Sequence, residues 1–133
     1  MAVNKAGTRL AREIAWWVTY HPVTMLSEAW TDTRYQMGGN NDFTLITHRN
    51  NVYFDRRYEH VEIFQGPSQT GSSTLLGVLF GLDHGYRRII VAGAPLDGDY
   101  STFRDGWIQS SGKLKGRVTS MSGWTKDFLE GLQ

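Results

Sequence analysis

Apolar residues in this chain fall in short runs separated by polar, glycine-rich stretches, and the runs differ in period. Residues 15–20 (AWWVTY) are aromatic and β-branched and stop at His21-Pro22, which predicts a buried strand. Within it, Trp16 and Trp17 face opposite sides of a sheet, as core residues. Pro22 suits the first turn of a helix. Leu26, Ala29, Trp30, Thr33 and Met37 then follow at helical spacing until residues 38–41 (GGNN) end it. Residues 43–47 predict a second strand, 50–60 a polar and basic loop, and 61–64 a short third strand. A turn-rich loop over 66–73 opens a helix from about Thr74 to Asp83, with Gly85 as its stop. Residues 88–92 (RIIVA) form a continuous apolar strand buried on both faces. The last quarter holds a helix near 103–109, a strand at 117–120 and a helix over 125–132. Strand and helix alternate, and the two-sided apolar strand belongs to an α/β fold with a mostly parallel sheet and flanking helices. No repeat or linker divides the chain, so residues 1–133 are expected to form a single domain.

Composition narrows the function more than the fold. With 40% hydrophobic and 13% aromatic residues the chain can build a core, which excludes a disordered or collagen-like protein. The net charge is +1 and the basic residues are scattered, the longest runs being the pairs Arg56-Arg57 and Arg87-Arg88. A grip on duplex nucleic acid needs a basic stripe, so none is expected. There is no cysteine, hence no disulfide or thiolate site. The apolar runs are too short to cross a bilayer, and residues after Met1 do not read as a signal peptide. The expectation is a cytoplasmic protein without membrane contact. Glycine, at 15 residues, is frequent enough to suggest that backbone closely meets a ligand.

In parallel sheets ligands bind beyond the carboxyl ends of strands, where loops feed helix N-termini. Four loops qualify here: His21-Pro22, residues 66–73, residues 93–100, and residues 120–124. The second is the best anion site, because Thr70, Gly71, Ser72 and Ser73 bring small residues, free N–H groups and hydroxyls to a helix start. Gly66-x-x-x-x-Gly71-Ser72-Ser73 has the glycine spacing of a P-loop, but Ser72 stands where the lysine is required, which argues against a Walker-type NTPase. Ser72 or Ser73 acting only as a helix cap is the equal alternative. Asp97-Gly98-Asp99 is similar to the Asp-x-Asp pair that holds a metal and a diphosphate in some glycosyltransferases, although such triplets are common in surface turns. No metal and no cofactor is expected, with Asp97 and Asp99 the weak metal candidates. His21, at a strand's carboxyl end, is either an acid/base or ligand contact, or a helix-start residue bonded to backbone. His48, His60 and His84 read as surface or loop residues. Trp107 and Trp124 could stack a base or sugar or close the edge of a small core. Arg104 and Arg117 are available for an anion, with solvated surface as the default. Gly93, Pro95, Ser120 and Ser122 complete the candidates from the loops.

Thr70-Gly71-Ser72-Ser73 before an apolar helix, then Gly85-Tyr86, residues 88–92, and residues 93–98 (GAPLDG), resemble a segment of the Rossmann-like sialyltransferase superfamily, of pterin-pyrophosphokinase-like domains, and of small phage proteins. Residues 117–124 (RVTSMSGW) look like the phage versions in particular. The similarity is sharp over about thirty residues and loose elsewhere. It implies a Rossmann-like fold in which the Ser/Gly loop contacts a nucleotide, and Asn4 matches the asparagine that ends a short strand before the donor site. Relatives usually begin with a strand and a Gly-x-Gly-Pro-Ser loop; this chain starts after that point, and is expected to be truncated at its N-terminal strand. An edge so exposed invites pairing with a second copy, so a homo-oligomer is expected.

The leading expectation is a non-catalytic, phage-type protein that binds, and by binding sequesters, a nucleotide-derived ligand such as a cyclic dinucleotide or a cyclic ADP-ribose derivative in the host cytoplasm. That use would be counter-defence. The first alternative is a minimal glycosyl- or nucleotidyl-transferase acting on a nucleotide sugar, with His21 as base and Asp97 and Asp99 placing a metal. The second is a phage structural or assembly protein whose Trp and Tyr residues serve a protein interface.

Overall fold

The computed structural model describes residues 1–48, 61–63 and 72–133, and is mixed α/β with small parallel sheets. The predicted loop at 50–60, Phe64, and residues 66–71 of the turn-rich loop, Thr70 and Gly71 included, lie outside the described residues. Contacts divide the chain into two units, Met1–Gln65 and Gly66–Gln133.

The first unit is built on a four-stranded parallel sheet in the order β1 (Ala2–Val3), β2 (Trp16–Val18), β3 (Thr44–Thr47), β4 (Val61–Ile63). A 3-10 segment, Asn4–Arg9, leads from β1 towards β2. Two helices, α1 (Pro22–Ser27) and α2 (Trp30–Gln36), cross from β2 to β3. The predicted single helix is thus broken. Ala29 sits in the left-handed region (φ 50°, ψ 43°), at a cost of about 1–2 kcal/mol for a residue with a β-carbon. The break has a physical reason in the residue that follows. Trp30 stacks on Trp17 with ring centroids 6.4 Å apart, and its indole N–H donates to Glu28 at 2.8 Å. Burying that aromatic surface outweighs the strain of one left-handed residue.

Trp17 is the centre of this core. It is fully buried, meets Phe43 edge-on at 5.1 Å, and donates its indole N–H to the Asn4 carbonyl at 2.8 Å. Ala2, Ile14, Met25 and Leu45 complete the cluster. A β-carbon at Gly7 would lie 2.3 Å from the Trp17 ring, so the 3-10 segment can pass there only as glycine.

Arg34 of α2 is completely buried, and no carboxylate pairs with it among the described residues. Its guanidinium donates to the carbonyls of Gly7, Leu10, Arg12 and Asn40 and to the Asn40 side chain. Burial pulls its pKa below the ordinary value, and these acceptors are what keep the charge tolerable inside. The arginine therefore ties the 3-10 segment, the chain before β2 and the turn after α2 to one point.

The second unit starts with α3 (Ser73–Asp83), capped by the Ser72 hydroxyl, which accepts from Leu75 N–H at 3.3 Å. Apolar residues surround this helix on nearly every side, as its run of buried positions shows. Gly85 stops it as predicted: φ is +87°, with Gly85 N–H to Leu82 carbonyl and Tyr86 N–H to Gly81 carbonyl. Arg117 is not merely solvated surface, since it donates to the Tyr86 carbonyl at 3.1 Å, beside the negative end of α3. β5 (Ile89–Val91) pairs in parallel with β6 (Val118–Ser120). Between them run a 3-10 segment Gly98–Phe103, α4 (Arg104–Gln109) and α5 (Ser111–Leu114); α6 (Gly123–Gly131) follows β6. The expectation that the β5 strand is buried on both faces fails at Ile90, which is 73% exposed while Val91 is buried. Its continuous apolar run concealed the alternation that the pleat imposes.

Among the described residues no helix is long and apolar enough to cross a membrane.

Candidate functional site

The carboxyl edge of the four-stranded sheet carries an uncharged polar row. Val3, Val18 and Ile46 are the last residues in mutual register on β1, β2 and β3, so Asn4, Thr19 and Thr47 follow at the next level. Thr19 continues the ladder, donating its N–H to the Ile46 carbonyl at 3.0 Å. Level residues of a parallel pair share a face, so the Thr19 and Thr47 side chains emerge side by side, on the side that carries Trp17 and Leu45.

Each member of the row is held differently. Thr19 is fully buried, and its Oγ1 accepts from His21 N–H at 2.9 Å, shaping the turn into α1. The His21 carbonyl then accepts from Thr24 and Met25. The His21 backbone thus starts the helix, and its side chain is exposed. Thr47 is 0% exposed, and its Oγ1 has no hydrogen-bond partner among the described residues. Asn4 Oδ1 is also sealed from solvent and without a partner, on a residue whose φ is 47°. A buried polar group left unpaired costs about 1–3 kcal/mol. Two such groups, at the ends of the strands on either side of β2, are the least satisfied polar chemistry among the described residues of this unit.

Next to the row, Tyr20 and His48 meet with ring centroids 5.7 Å apart. Burial pushes the Tyr20 phenol up from its ordinary value. His48, expected at the surface, is only 3% exposed because it follows directly on β3 and packs on Tyr20.

The remaining candidates gather in the second unit, at the carboxyl ends of β5 and β6, and there they bond one another. Asp97 Oδ1 accepts from Trp124 N–H at 3.2 Å and faces Arg104 at 3.4 Å. Arg104, far from idle surface, also donates Nε–H to the Leu96 carbonyl at 2.9 Å and lies over the Trp124 ring at 5.1 Å. Trp124 stacks on Phe128 at 4.7 Å, so the ring already has two partners. Ser120 Oγ lies 3.0 Å from Thr125 Oγ1, which donates to the Ala94 carbonyl at 2.6 Å; the Pro95 carbonyl accepts from Thr125 N–H and the Ser122 carbonyl meets the same hydroxyl. Gly93 is exposed with φ +77°.

Asp97 is a helix cap, turned to the positive end of α6 rather than towards Asp99, and among the described residues no cluster of three or more acidic or histidine side chains could hold a metal. Trp107 is 0% exposed, so as folded here its ring belongs to the core, although its indole N–H lacks a partner among the described residues. His84 remains on the surface as expected, its ring against Phe80. Of the Ser/Gly loop, Ser72 serves as the cap and Ser73 is buried.

Thr19 and Thr47 are the candidates that residue-by-residue reading passed over. A signal was present: both strands end in an aliphatic residue, a threonine and then, within two residues, a histidine (VTYH and ITH).

Comparison with known protein families, curated proteins and solved structures returns no match for this chain.

Proposed function

We propose that this protein binds a nucleotide-derived small molecule at the carboxyl edge of its four-stranded sheet and does not convert it. The observation that carries the reading is Asn4 Oδ1, a sealed acceptor without a partner, at the place where parallel sheets meet their ligands. A ligand donor reaching it would remove an energetic cost the chain otherwise bears alone. A binding role is favoured over transfer because Asp97, which the transfer reading needs for a metal, caps α6 instead. Parallel pairing in every strand pair among the described residues supports a Rossmann-like arrangement as the finer description of the fold. Sequestration of a signalling nucleotide in the cytoplasm, by a homo-oligomer of phage type, is the use we attach to this reading.

The test is thermal unfolding against a panel of nucleotides, cyclic dinucleotides, cyclic ADP-ribose and nucleotide sugars, with ligand recovery by chromatography. A ligand that raises Tm in the wild type, fails to do so in Asn4→Leu, and is recovered intact supports the proposal. No rise with any of them at millimolar concentration refutes it, and recovery of a cleaved or transferred product returns the transferase reading.

A further inference from the structure

The Thr19–Thr47 pair carries a second conclusion, which rests on the binding reading above and gives the chemical class of the group bound there. Two threonine hydroxyls stand side by side on adjacent strands at the sheet's carboxyl edge, both residues completely buried. They are not bonded to each other. Thr47 Oγ1 has no partner, and the Thr19 hydroxyl proton finds no acceptor among the described residues, since its oxygen only receives His21 N–H. A valine at position 47 would fill the same space without an unsatisfied hydroxyl, so as folded here the Thr47 hydroxyl is a net cost.

The surroundings decide what could offset that cost. A phosphate accepts hydrogen bonds, from hydroxyls as well as N–H groups, but its charge calls for cations or a row of N–H donors beside them. Among the described residues, the cations on the elements framing this edge are committed or remote. Lys5 is paired with Glu28 at 3.2 Å, Arg34 is filled by backbone carbonyls and Asn40, and Arg9 is exposed at the far end of the 3-10 segment. The row itself is neutral. A neutral hydroxyl, by contrast, can donate to Thr47 Oγ1 and accept from Thr19 in one contact.

We infer that Thr19 and Thr47 form a subsite for an uncharged hydroxylated ring, the sugar part of the ligand, and that the phosphate lies away from this edge. Both hydroxyls are sealed as folded here, so the sugar gains them by displacing what covers them.

Thr47→Val separates this from a structural role. In the unliganded protein the variant is expected to melt a few degrees above wild type, because an orphaned hydroxyl is removed at constant shape. Its affinity for the nucleotide found in the panel is expected to fall about tenfold, the worth of one hydrogen bond. Thr47→Ser should keep that affinity within a few-fold. Among the four ribonucleosides, at least one should bind the wild type measurably; its 2′- or 3′-deoxy analogue should lose about as much as Thr47→Val does, and inorganic pyrophosphate should leave Tm unchanged. If a nucleotide binds but Thr47→Val and the deoxy analogues bind as tightly as their parents, the sugar subsite is wrong while the binding reading stands. If Thr47→Val melts below wild type, the hydroxyl is satisfied in solution and the subsite is wrong as well. If neither nucleotide nor nucleoside binds the wild type, both conclusions fall.

Discussion

The backbone N–H of Trp124 donates to the Asp97 carboxylate at 3.2 Å, placing an acid from the loop after β5 at the positive end of the helix that follows β6. One contact thereby joins the two parallel strands of this unit through their carboxyl-end loops. Asp97→Ala is expected to cost about 1 kcal/mol, the usual worth of an N-terminal cap, read as a lower Tm. Millimolar Mg²⁺ or Mn²⁺ should leave the wild-type Tm in place. A metal-dependent rise that Asp97→Ala abolishes would reverse the assignment.

Gly123 makes that contact possible. It has φ +64°, and a β-carbon there would lie 2.2 Å from Pro95 Cβ and 2.6 Å from Asp97 Oδ2. Gly123→Ala is expected to destabilise by about 2–4 kcal/mol, combining left-handed strain with overpacking. Gly116→Ala is the control, since it has a similar φ of +68° and nothing within 4 Å. It should cost only the strain, about 1–2 kcal/mol. Equal losses in chemical denaturation would mean that the Pro95 contact is not tight.

The break between α1 and α2 predicts a gain of stability from a residue that usually weakens helices. Ala29→Gly removes the left-handed strain at φ 50° and should stabilise by up to about 1 kcal/mol. Were α1 and α2 one continuous helix in solution, the same change would destabilise by a similar amount. Denaturant midpoints of the two proteins decide it.

Glu28 sets an acid-side dependence. Hydrogen bonds from Trp30 and then from Lys5, with the Lys5 charge, hold its carboxyl below the ordinary 4.5. Its ionised form is therefore favoured by folding. The contribution is complete above about pH 4.5 and is lost as pH falls through the lower folded-state value. Glu28→Gln should flatten the fall of Tm between pH 5 and the acid limit, by roughly the slope of one carboxylate. An unchanged profile would show that Trp30 and Lys5 do not hold the carboxylate in solution.

Much of the strand and helix order is legible from period alone, because each run carries its own signal: AWWVT and FTLIT by β-branching, Gly85 by its stop. What period cannot convey is a local sacrifice made for a distant contact. Ala29 breaks a helix so that Trp30 can reach Trp17, and nothing within seven residues of Ala29 reveals that partner. Arg34 is similar: an arginine on a polar helix reads as surface, and its burial becomes sensible only once carbonyls from three other segments converge on it. For the site, the placement at strand ends was legible, and the assignment of roles was not. The polar residues of the second unit, apparently free in one dimension, satisfy each other in three. Those at the sheet edge of the first unit do not, and Thr47 is distinguished from any other strand threonine only by the partner it lacks.

The most direct test of the central claim is amide chemical-shift mapping by NMR while a stabilising nucleotide from the panel is titrated into the protein. The account predicts the largest shifts at Asn4, at residues 19–21, and at Thr47 and His48, with the loop at residues 93–98 and Gly123 nearly unmoved. Shifts centred on residues 93–98 and 120–124, with Asn4 and Thr47 unmoved, would place the ligand on the loops of the second unit and contradict it.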